Sequence, residues 1–134
     1  MCLNTLLPKE KNEGVGWKVF RINKHGKLEG ETVRMYAQSV NRPVGQWLDA
    51  REYGIWGQRY LTTDENEHYS VGWHIWLTKE AAQAWIKCPM VYKKQRVIRR
   101  VKYKKVLAVG MQNLRKVIVA QFIKIESRRS KEGE

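Results

Sequence analysis

Two long alternating segments late in the chain constrain its fold more than anything else. In residues 95–109, Val97, Val101 and Tyr103 share one side with Arg99, while Arg96, Arg100, Lys102 and Lys104 share the other with Ile98. Residues 116–125 alternate again, with Val117, Val119, Ile123 and Ile125 on one side. A period of two marks a strand with two different faces. With residues 110–115 as the turn region, the pair predicts a long hairpin. One of its faces joins a core and the other presents a row of cations to solvent.

Those cations are concentrated. Residues 81–125 hold twelve Lys and Arg and no Asp or Glu, so nearly all of the formal +13 resides there. Eight of the twelve lie in residues 93–105. A strand spaces alternate side chains about 6.6–7 Å apart, close to the phosphate step along one nucleic-acid strand. The candidate contact residues are therefore Lys93, Lys94, Arg96, Arg99, Arg100, Lys102, Lys104 and Lys105, with Tyr92 and Tyr103 available for stacking. Lysines also guard sheet edges against aggregation, but a few suffice for that. Twelve without an internal counter-ion point to an anionic partner: nucleic acid, a nucleoprotein complex or an acidic protein surface. No base-reading motif is present, so binding to nucleic acid would be led by the backbone and sensitive to salt.

The 134-residue length fits one domain, and 43% hydrophobic residues with six Trp and six Tyr can supply its core. No apolar run approaches the roughly 18 residues of a membrane span. The first residues lack the basic region of a signal peptide. Cys2 and Cys88 are far apart and have no nearby partner cysteine, and His25, His68 and His74 do not complete a zinc pattern. Reduced cysteines, no metal, no cofactor and a cytoplasmic setting are expected.

Taken in order, residues 1–14 read as a flexible lead-in, residues 15–126 as the domain and residues 127–134 as a polar tail. Residues 16–23 alternate as a strand with apolar weight on both faces, and Gly26 suits a tight turn before a short return at Leu28. A further strand is expected over residues 31–38. In residues 44–54, Val44, Trp47, Leu48 and Arg51 fall at helical spacing and predict a short helix. Residues 55–62 suggest a strand and residues 63–67 an acidic loop. Residues 70–77 alternate clearly, and Thr78 follows as the N-cap of a helix over residues 79–86. The expected fold is a single α+β domain: a mostly antiparallel, twisted sheet of five or six strands, two short helices and the long basic C-terminal hairpin.

Trp47, Trp56, Tyr60, Tyr69, Trp73, Trp76 and Trp85 form an aromatic belt read as core. In residues 70–77 one alternating set, His74 and Trp76, is expected to face outward or into a cleft. His74 has no Ser or Cys nucleophile beside it in sequence, which favours a non-catalytic role.

Residues 16–22 (GWKVFRI), 24–28 (KHGKL), 43–50 (PVGQWLDA) and 72–85 (GWHIWLTKEAAQAW) resemble, in that order, a family of small phage and prophage proteins. That resemblance covers about half of the chain. It implies a viral or mobile-element origin, and for small phage proteins as a class it implies action against host defence, as anti-CRISPR proteins do. The basic segment after Tyr92 is no part of that pattern. A fainter resemblance to an ADP-ribosyltransferase-like fold places Arg21 and Thr78 at its Arg and Ser/Thr positions. The catalytic Glu of that fold is absent near the last strand, where Gln121 stands and Glu126 lies beyond it.

Three functions follow as expectations. The first is a non-enzymatic, phage-derived protein that engages nucleic acid or a nucleoprotein of an infected bacterium through the surface of residues 93–105. The second is an ADP-ribosyltransferase-like enzyme, or a degenerate copy, with a Trp-lined cleft around Arg21, His74, Trp76 and Thr78. The third is an adaptor for an acidic protein surface.

Overall fold

Alternation over residues 95–125 builds the two longest strands, and the other strands assemble around them. The computed structural model describes residues 3–29, 42–53, 60–70, 72–87 and 96–127. Among these, nine strands and two helices run in the order β1 (Thr5–Leu7), β2 (Glu13–Ile22), β3 (Leu28–Glu29), β4 (Trp47–Asp49), α1 (Ala50–Tyr53), β5 (Tyr60–Thr62), β6 (His68–Ser70), β7 (Trp73–Trp76), α2 (Lys79–Lys87), β8 (Arg96–Gln112) and β9 (Arg115–Ile125). Every strand pairing is antiparallel. The strand expected over residues 31–38, together with Trp56, Tyr92, Lys93, Lys94, both cysteines and the tail beyond residue 127, lies outside the described residues.

β8 and β9 form the predicted hairpin, joined by Asn113 and Leu114, both at positive φ (51° and 64°). Two left-handed residues between paired strands make a tight turn whose twist suits the hairpin. β8 also pairs with β2 through residues 96–104, and β9 pairs with β7 through residues 117–120. Trp17 of β2 then pairs with Trp76 of β7. The four strands β2, β8, β9 and β7 thereby close on themselves. The closure needs a residue without a side chain. A Cβ on Gly16 would sit 2.4 Å from Ile75 Cγ2 and 2.9 Å from the Trp76 carbonyl oxygen.

The closed strands divide the core in two. Inside lie Phe20, Trp73, Ile75, Val101, Tyr103, Ile118, Ile123 and Ile125. Outside, Val19, Trp76, Val117 and Val119 pack under α2, β1 and the β5–β6 hairpin, with Ala81, Ala82, Leu3 and Tyr69. Apolar residues on both sides of β2 and β7 are thus each used. β9 departs from the expected single apolar side: Val117 and Val119 go to the outer core, Ile123 and Ile125 to the inner one. α2 starts where its cap is: the Thr78 hydroxyl accepts from the Ala81 N–H at 3.1 Å. Its Trp85 ring lies 5.8 Å from that of Trp76.

Two expectations change. Residues 3–14 are not a loose lead-in. Leu3 is fully buried, and Thr5–Leu7 adds to the edge of β8 at residues 109–111. Gly110 admits it, since a Cβ there would meet the Thr5 carbonyl oxygen at 2.2 Å. The Asn4 side chain extends the hold by bonding Asp64 (2.8 Å) and the Asn113 N–H (3.0 Å). The helix expected over residues 44–54 is only Ala50–Tyr53, because Trp47–Asp49 pairs with β9 instead. Pairing buries Leu48 beside Ile123 and leaves Trp47 39% exposed on the other side. Helical spacing and strand alternation both place Leu48 inward, and the free edge of β9 decides between them.

Leu3→Ala is expected to lower stability by about 2–5 kcal/mol, the range for a buried leucine. A urea unfolding midpoint measures it. A loose lead-in would give less than about 0.5 kcal/mol.

Candidate functional site

On the side of β8 that faces away from the inner core, register lines up side chains from four strands. Trp47 of β4 stands opposite Lys124 of β9, Lys124 opposite Lys102 of β8, and Lys102 opposite Val15 of β2. In the neighbouring row, Asp49, Phe122, Lys104 and Glu13 are aligned in the same way. Arg100, two residues along β8, faces Trp17. Successive rows are about 6.7 Å apart and neighbouring strands about 4.8 Å. Directly behind lie Leu48, Ile123, Tyr103 and Val101 of the inner core, which back the face.

The platform is cationic and aromatic. Lys104 Nζ lies 4.2 Å from the centre of the Trp47 ring and 5.4 Å from that of Phe122. Lys102 and Lys105 are exposed, and among the described residues no carboxylate pairs with either, nor with Lys124. Like charges directly opposite on a sheet destabilise it. Here Lys102 faces Lys124, and further along β8 Arg99 faces Lys18 and Arg96 faces Arg21. Strict alternation would send Lys105 inward with Tyr103. Instead Lys105 takes φ 59°, and Val106 occupies the inner core in its place. The break turns both Lys104 and Lys105 away from the core.

Not all of the sequence-derived contact residues belong to this platform. Arg100, Lys102, Lys104 and Lys105 reach solvent on or beside it. Arg99 lies on the side of Val101, where its guanidinium donates to the Glu126 carbonyl at 2.6 Å. Arg96 is half-buried beside Arg21. The cations also have some counter-ions, contrary to expectation. Arg100 pairs with Glu126 at 3.0 Å, Arg115 with Glu80 at 3.5 Å and Lys116 with Glu10 at 4.0 Å. Each carboxylate comes from outside residues 81–125, so the acid-free stretch concealed them. Sequence reasoning missed Trp47, Phe122 and Lys124 as members of the platform. The signal was present in the alternation of Trp47, Leu48 and Asp49 and of Phe122, Ile123 and Lys124.

The residues proposed for a cleft do not come together. His74 and Trp76 are buried (8% and 1% exposed) because α2 and β6 cover the face that alternation left open. Arg21 forms an ion pair with Glu29, and Thr78 caps α2. The Trp17–Trp76 register separates Arg21 from Thr78 by about six residues of strand, or about 20 Å. Gln121 is buried against the Asp49 carboxylate (3.3 Å), and Glu126 is held by Arg100. Among the described residues, no group of three or more His, Cys, Asp or Glu is placed to hold a metal, and no helix is long and apolar enough to cross a membrane. No family model, curated protein or solved structure matches the chain.

His74 instead locks the outer core. Tyr69 links it to the N-terminal segment: its hydroxyl accepts from the Leu3 N–H at 2.9 Å and lies 3.2 Å from His74 Nε2. The ring also makes a hydrogen bond to the Gly72 backbone. Burial pushes the imidazole down to about 3, helped by the nearby Lys18 charge. The unfolded chain takes up this proton near pH 6.5 and the folded chain does so only near pH 3. The stabilisation is therefore complete above about pH 6.5 and lost as pH falls toward 3. Between pH 7 and 5 the loss is expected to be about 2 kcal/mol. Urea unfolding at these two pH values measures it, and His74→Gln is expected to flatten the dependence. An equal pH dependence in the variant would refute it.

Proposed function

We propose that this chain is a non-enzymatic binding protein that takes a nucleic-acid backbone along the outer platform of β4, β9, β8 and β2. The observation that carries this reading is the cross-strand placement of Lys102 opposite Lys124, neither of which forms an ion pair with a carboxylate among the described residues. A pair of that kind is unfavourable for the sheet alone, and bound phosphates relieve it. Lys104 and Lys105 extend the cationic track. Trp47 and Phe122 add ring faces beside it, a combination that suits single strands, whose unpaired bases stack. Under this reading the phage-protein resemblance supports a nucleic acid or nucleoprotein of a bacterial host as the partner, and a counter-defence role.

The test is binding of labelled single strand, duplex DNA and structured RNA at about 50 and 200 mM salt. A single strand is expected to bind tightest, with steep salt dependence. The triple variant Lys102→Ala, Lys104→Ala, Lys124→Ala is expected to reduce the log–log salt slope by about 2, at about 0.7 per lost phosphate contact. Trp47→Ala is expected to weaken single-strand binding by about 1–3 kcal/mol and to leave the slope intact. Unchanged affinity and slope in the triple variant would remove the platform from the interface. Failure of every polymer to bind would favour the acidic-protein reading.

A further inference from the structure

Behind the platform, on the inner side of β8, the core ends in a cavity of about 180 Å³ between residues 8–11 and strands β2, β8 and β9. Val109 and Ile118, both buried core residues, form its apolar wall. Tyr103 forms part of the same wall and is only 4% exposed. Its hydroxyl has no hydrogen-bond partner among the described residues. That oxygen keeps some accessible surface and is open to a molecule entering the cavity. The space beside this hydroxyl exists because residue 14 is glycine: a Cβ there would lie 2.7 Å from the oxygen. Lys11 and Lys116 stand at the rim. Glu10 approaches Lys116 only at 4.0 Å, with its own side chain 74% exposed, so it is a weak competitor for that ammonium.

We propose that this cavity binds a small organic anion with an apolar body, its charged head held by Lys11, Lys116 and the Tyr103 hydroxyl and its body lying on Val109 and Ile118. Burial raises the Tyr103 phenol above its ordinary value, which keeps it a donor at neutral pH. The volume is below the about 300–1,000 Å³ of pockets for drug-sized ligands, so the ligand is small, and a small aromatic carboxylate is a fitting probe. The site borders the platform at Val15, but its lysines and Tyr103 are not platform residues, and it does not depend on that reading.

The test is an NMR titration of the isotopically labelled full chain with benzoate and, separately, with the neutral benzyl alcohol, at fixed ionic strength. Benzoate is expected to produce saturable shifts at the amides of Gly14, Tyr103, Val109 and Ile118. Tyr103→Phe is expected to weaken that binding about tenfold or more without loss of thermal stability, since no protein hydrogen bond is removed. Lys116→Ala is expected to weaken it as well. The proposal fails if benzoate gives no saturable shift, or shifts only around Lys102 and Lys124. It also fails if benzyl alcohol binds as tightly or if Tyr103→Phe binds benzoate unchanged.

Discussion

The pairing of Trp17 with Trp76 is the contact on which the rest of the molecule depends. Without it, β2 and β7 would be the free edges of an open sheet, exposing unpaired backbone groups. β8 itself lies inside the closed sheet, paired with β2 on one edge and β9 on the other, and a shift of one residue would exchange its buried and basic faces. Gly16 makes the approach possible by leaving room for Ile75 and the Trp76 carbonyl. The closure also sorts the aromatic residues. Trp73 goes to the inner core and Trp76 to the outer one, where α2 covers it.

The same closure explains where the charge can be placed. The inner side of the strands is apolar and the side near α2 is covered. What remains for Arg100, Lys102, Lys104 and Lys124 is the outer face between β4 and β2. Glu126 neutralises Arg100, but the lysines in the middle of the face have no such partner among the described residues. Repulsion between exposed lysines is screened by salt and is small beside the burial of Val101, Tyr103, Ile123 and Ile125 behind them. The fold therefore tolerates a cationic platform that electrostatics alone would disfavour.

Much of this was legible in the sequence. The strands expected from the alternation of residues 16–23, 95–109 and 116–125, the turn at Gly26 and the Thr78 cap all have local causes, and each is present. The antiparallel sheet with two short helices follows from them. Strict alternation does not hold throughout: it breaks at Lys105, and Val117 and Val119 do not share a side with Ile123 and Ile125. What was not legible depends on contacts distant in sequence. Leu3 is buried only because Tyr69 and β8 receive it, and Trp47–Asp49 is a strand only because β9 offers an edge. The cover over His74 and Trp76 comes from α2, so alternation alone left their face open. The left-handed conformation of Lys105 has no sequence signature, since lysine does not favour it. The basic surface was therefore legible as a charge density, whereas which side chains share the outer face, with Arg99 excluded and Trp47, Phe122 and Lys124 included, required the register.

The most direct test is ultraviolet crosslinking of a bromouracil-containing single strand to the protein, followed by identification of the modified peptides. If the outer platform holds the strand, adducts concentrate at Trp47, at residues 100–105 and at residues 122–124. Adducts that fall mainly on α2 or the β5–β6 hairpin, or an absence of adducts under conditions where the strand binds, would contradict it.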